Sequence, residues 1–112
     1  MAETPDEGEI IEVDLVTGLN GPYWLPRGSW SFDFKGTFDT AVITVRTALS
    51  MTAGDFTSDT AIKDPVDNSS TLEVTANRGD LLISGPTGIA INVASIGSAS
   101  GLKFRRAYAG NR

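Results

Sequence analysis

Apolar and polar side chains alternate along most of this chain. In GSWSFDFKG, Trp30, Phe32 and Phe34 alternate with Ser31, Asp33 and Lys35. A strict period of two predicts a strand with one face in a core. TAVITVRTALS follows, with Ile43, Val45 and Leu49 in phase and Thr44 and Arg46 opposed. The intervening GTFDT carries glycine and aspartate, which predicts a hairpin turn. TLEVTA, GDLLIS and GIAINVAS read as three further strands, with Leu72 and Val74, Leu81 and Ile83, and Ile89, Ile91 and Val93 inward. Tight turns are expected between them at 77–79 and 85–88. GLKFRRAY adds Leu102 and Phe104, and EIIEVDLV adds Ile11 and Val13 against Glu12 and Asp14. Residues 50–70 predict only a short edge strand, Phe56 to Ile62, and a loop through Asp64-Pro65.

No stretch holds helical periodicity over three turns, and the twelve glycines fall mostly between strand candidates. Seven or eight short strands predict an all-β fold: a single antiparallel β-sandwich, jelly-roll or immunoglobulin-like. LVTGLNGPYWLPRG does not fit that pattern. Its PYWLP core sets Tyr23, Trp24 and Leu25 between two prolines, which disfavour helix and central strand alike. The expected division is therefore an extended N-terminal arm, residues 1–28, and a sandwich, residues 29–112, with a short basic tail.

Charge sharpens the picture of that arm. Residues 1–14 hold six acidic side chains and no basic one, whereas residues 15–112 hold nine basic and eight acidic. The end of the chain, GLKFRRAYAGNR, carries Lys103, Arg105, Arg106 and Arg112 with no acid. Four cations at one end do not make the wide basic face of a nucleic-acid binder. Acidic arm and basic tail instead suit electrostatic steering between subunits.

Composition removes most chemistry. Cysteine and histidine are absent, and with them thiolate metal sites, disulfides and the commonest general base. No cofactor is expected. No apolar run is long enough for a transmembrane helix, and the first residues lack a basic and apolar leader pattern, so synthesis in a cytoplasm is the expectation. Asp55, Asp59, Asp64 and Asp67 fall in the loop-rich middle, but their spacing matches no calcium loop. Arg78-Gly79-Asp80 spells an adhesion tripeptide where a turn needs glycine, and Asn68-Ser69-Ser70 spells a glycosylation sequon; both read as turn chemistry. An enzyme is not expected, since nothing points to a cleft with a perturbed carboxylate.

GTFDTAVITVRTALS, the T-x-E-V strand and GDLLISGPTGIAINVAS together resemble the small β-sandwich structural proteins of tailed-bacteriophage virions. The resemblance covers roughly residues 29–104. It implies a capsid decoration or cement protein, placed on the capsid surface, bound to the major capsid protein or other virion subunits, and repeated as a homo-oligomer or symmetric array. No nucleic acid or membrane partner is implied. The arm would supply the contacts, Ile11 and Val13 by strand addition and Tyr23, Trp24 and Leu25 by filling an apolar pocket, while Lys103, Arg105 and Arg106 of the basic tail would orient the dock. Deleting residues 1–28 is then expected to leave a folded body that no longer assembles. The alternative is a receptor- or carbohydrate-binding module of a fibre or tail, with Phe38, Phe56 and Tyr108 as free aromatic platforms.

Overall fold

The computed structural model describes residues 10–66, 70–95 and 97–110. These form five strands: β1 (Ile10–Asp14), β2 (Gly18–Thr37), β3 (Val42–Ala48), β4 (Arg78–Ala94) and β5 (Ser100–Gly110). They make one antiparallel sheet in the order β1-β5-β2-β4-β3. The expected all-β class is what the chain adopts, with fewer and longer strands than the seven or eight anticipated.

Strand merging explains the difference. GDLLIS and GIAINVAS are one strand of 17 residues, β4, and GPTG is a bend inside it rather than a turn. PYWLP lies within the 20-residue β2. Its prolines are accommodated because the β2–β4 register slips between Asn20 and Tyr23 and again between Leu25 and Gly28. A bulge leaves a residue outside the ladder, so a missing N–H costs nothing there. At the second bend the two strands nearly touch. A β-carbon on Gly85 would run into the Pro26 and Leu25 carbonyl oxygens, and the Trp30 indole N–H donates to the Pro26 carbonyl oxygen at 3.0 Å. Only glycine permits that approach.

Residues 18–28 therefore belong to the sheet, which corrects the expected arm for this stretch. Leu25 has no exposed surface, and Tyr23 packs against the core. Residues 1–9, the acidic tip, lie outside the described residues. The expected β2–β3 hairpin is corrected too: GTFDT does connect the two strands, but β4 lies between them. The Asp39 turn there has φ 49°, and the Asp39 carboxylate accepts from the Ser98 N–H at 2.7 Å.

The core runs through both ends of the bent sheet. Trp30, Phe32, Phe34, Leu81, Leu102, Phe104 and Tyr108 come from one end, and Leu25, Ile43, Val45, Ile89, Ile91 and Val93 from the other. Phe34 stacks on Phe104 at 5.3 Å within the first end, and the Tyr23 ring, near Leu25, reaches Phe104 at 6.1 Å. Such contacts add about 0.5–1.5 kcal/mol each beyond the area they bury. Asn20, buried at the first bulge, uses its side chain fully. Its amide N–H groups donate to the Val16, Gly18 and Ile91 carbonyl oxygens, and its Oδ1 accepts from the Val16 N–H.

Residues 50–66 form no edge strand of the expected kind. Phe56 is buried between two 3-10 turns, Ala53–Asp55 and Ser58–Thr60. TLEVTA contributes single bridges rather than a strand. Val74 pairs with Ile43 and Ala61 with Arg46, and the Ile62 N–H donates to the Val45 carbonyl oxygen at 2.9 Å. These short segments lie along the outer edge of β3.

Candidate functional site

Strand order brings the two charged ends of the chain together. β1 pairs with β5, so Glu12 lies opposite Arg105 and Asp14 opposite Lys103. β5 in turn pairs with β2, setting Arg105 opposite Asp33 and Lys103 opposite Lys35. The outward faces of three strands thus carry facing charges, opposite in sign along Glu12, Arg105 and Asp33 and along Asp14 and Lys103, with Lys35 a second cation beside Lys103. Arg105 grips Asp33 with two bonds, Nε to Oδ1 at 2.9 Å and Nη2 to Oδ2 at 2.5 Å. Lys103 donates to the Asp14 carboxylate and sits 3.8 Å from Glu12, which is 4.0 Å from Lys35. The hydrogen bond from Lys103 to Asp14, helped by the attraction between them, raises the lysine pKa; Asp33 raises that of Arg105 in the same way.

One row further along, Ile10, Ala107, Ser31 and Leu82 lie opposite one another across β1, β5, β2 and β4. Large apolar side chains stand at both ends of this row and small ones between. The result is a groove of about 440 Å³, lined also by Asp33, Gly79 and Arg105. Ile10 is 62% and Leu82 71% exposed.

The anticipated binding residues divide by face. Ile11 and Val13 are half-buried on the inward side of β1, with Val13 packed on the core. Tyr23 is half-buried beneath Arg106, whose guanidinium lies 4.9 Å from the ring centre. Leu25 is enclosed by the core, so it cannot reach a partner, which corrects its expected role as an anchor. Trp24, opposite Gly88, alone of the PYWLP trio is exposed, at 38%. Lys103 and Arg105 are engaged inside the chain, as described. Arg106 points inward, and burial lowers its pKa.

The aromatic side chains proposed as sugar platforms, Phe38, Phe56 and Tyr108, are all buried. Among the described residues no three histidine, cysteine, aspartate or glutamate side chains converge as metal ligands. Asp64 instead takes a two-pronged bond from Arg78, at 2.9 and 3.1 Å. Asp67 and the sequon residues Asn68 and Ser69 lie outside the described residues.

Sequence reading missed Ile10, Ser31, Leu82 and Ala107, because their meeting depends on a strand order that no local pattern encodes. Glu12 and Asp33 were visible only as polar alternates. The opposite charges of the two ends were the one available signal that β1 and β5 are neighbours. No family model matches the chain, and neither a curated protein nor a solved structure matches it.

Proposed function

We propose that this chain is a non-enzymatic structural protein of a virion, a capsid decoration protein that docks on neighbouring subunits through the free edge of β1. One observation carries the reading. Of the two strands that end the sheet, β3 has its outer edge bonded by Ala61, Ile62 and Val74, while no described residue pairs with the outer edge of β1. An unpaired edge offers a row of backbone donors and acceptors to a strand from another molecule. In this role the body is a stiff β-sandwich, the two ends of the bent sheet closing over one core. Symmetric repetition on a shell multiplies a modest contact through avidity.

The resemblance of residues 29–104 to phage structural proteins supports the same reading. A carbohydrate-binding module finds less support, since Trp24 is the single exposed aromatic among the described residues. Virions purified from cells that carry the gene supply the test. Mass spectrometry and immunogold labelling should find the chain at fixed copy number on the capsid surface. Its absence from those virions would overturn the proposal.

A further inference from the structure

If β1 is the docking edge, as the preceding reading holds, its chemistry selects what can dock. We infer that the β1 edge receives an extended basic segment of its partner, with Lys or Arg at alternate positions, and rejects a second copy of itself.

The argument begins with the neighbour that β1 already has. On its inner side β5 offers Lys103 and Arg105 directly opposite Asp14 and Glu12, with Phe104 opposite Val13 between them. Opposite charges facing each other across strands stabilise the pairing, and like charges destabilise it. β5 is thus a worked example of a strand that suits β1: basic, apolar, basic. A strand added on the other side meets the same side chains from the opposite flank. The carboxylates of Glu12 and Asp14 remain available to it, for the Glu12 side chain is 43% and that of Asp14 80% exposed. Each carboxylate has about four lone-pair positions. Lys103 donates to Asp14 and approaches Glu12 only to 3.8 Å, so both can accept more.

The wider field has the same sign. Glu3, Asp6, Glu7 and Glu9 precede Ile10 in the chain, with no basic residue among the first nine. The six cross-strand charges described above, on β1, β5 and β2, sum to zero, so the acidic excess of this part of the sequence lies in its first nine residues. A net acidic sequence favours encounter with a basic segment over an acidic one.

The same charges oppose a second copy. Antiparallel β1 against β1, centred on Glu12, would set Glu12 directly against its own counterpart. Acid on an exposed edge is a recognised means of preventing self-pairing. A basic partner strand meets no such barrier. Its apolar alternates would extend the cover over Ile11 and Val13, and a side chain on its outward face would pack beside Ile10 at the end of the groove.

Two blocked nine-residue peptides provide the probe, one alternating Lys and Val, the other Glu and Val. Each is titrated into the full-length, isotopically labelled chain at low and high salt, with amide shifts followed by NMR. The basic peptide should shift the Ile10–Asp14 amides and bind at least about tenfold more tightly than the acidic one at low salt. That preference should shrink to about twofold at roughly 0.5 M salt, where the Debye length is only a few ångströms. The isosteric pair Glu12→Gln with Asp14→Asn should lose most of the preference, and its melting curve shows whether the fold is retained. Equal binding of the two peptides, no binding of the basic one, or shifts confined to residues away from β1 would overturn the inference. None of those outcomes removes the chain from virions, so the docking role stands or falls separately by immunogold labelling.

Discussion

Where β3 and the second half of β4 face outward, the chain covers itself. Residues 49–60 fold across them: Phe56 sits over Gly88, the Arg46 guanidinium donates to the Phe56 carbonyl oxygen at 3.2 Å, and Ala90 beneath is fully buried. Where β1, β5 and the first half of β4 face outward, nothing comparable lies on top among the described residues. That face carries ion pairs and a groove with two exposed apolar ends. One sheet thus has an outer face finished from within and another finished with charge. A surface sealed by its own loop is committed to stability, whereas a surface held open by paired charges can accept a partner without unfolding anything.

The most drastic way to break this contrast is to cut at residue 28. The cut takes β1 from the open face and Gly18–Gly28 from the covered end, together with Leu25. Circular dichroism and hydrogen exchange should then find no cooperatively folded body, in place of the folded truncation that an arm would have allowed. Phe56→Ala comes next. Removing a buried phenylalanine costs about 3–5 kcal/mol, read as a lower urea midpoint; a cost under about 1 kcal/mol would mean that the loop merely rests on the sheet.

Gly88→Ala should cost less, about 1–3 kcal/mol, as expected of overpacking. The new methyl would meet the Ser50 carbonyl oxygen and the Phe56 ring. On the open face the effects shrink. Lys103→Met should lower thermal stability modestly at pH 7, and the deficit should close in alkali. The lysine pKa is raised above its ordinary 10.5 by Asp14, so its contribution is full below that value and lost as pH climbs through the higher folded value. Chemical denaturation of both proteins from pH 7 to 12 checks this. Leu82→Ser should change stability by less than about 0.5 kcal/mol, since that side chain is already largely in water.

Much of this architecture was legible, and its failures have a common cause. Trp30, Phe32, Phe34, Ile43, Val45, Leu81, Ile89, Ile91, Val93 and Phe104 announce themselves by period two, and all are buried. Alternation reports which residues face inward; it is silent about which strand lies beside which. GPTG and PYWLP misled because glycine and proline mark any departure from a straight ladder. A bulge within two long paired strands uses the same residues as a turn between two short ones. The charged face was half legible. Acid at one end and base at the other were plain, but the row from Ile10 to Leu82 requires the β1-β5-β2-β4 order. Local propensity carries no information about that order.

Pairing the first strand with the last has a consequence for synthesis. β1 is made well before its partner residues, Lys103 to Ala107, since Asp14 and Lys103 stand 89 positions apart. At about 5–20 residues per second the nascent strand waits several seconds with both edges bare. Neighbouring nascent chains on a polysome present the same strand at the same time. Glu12 and Asp14 disfavour pairing between two such strands during that interval, because like charges set opposite each other are destabilising.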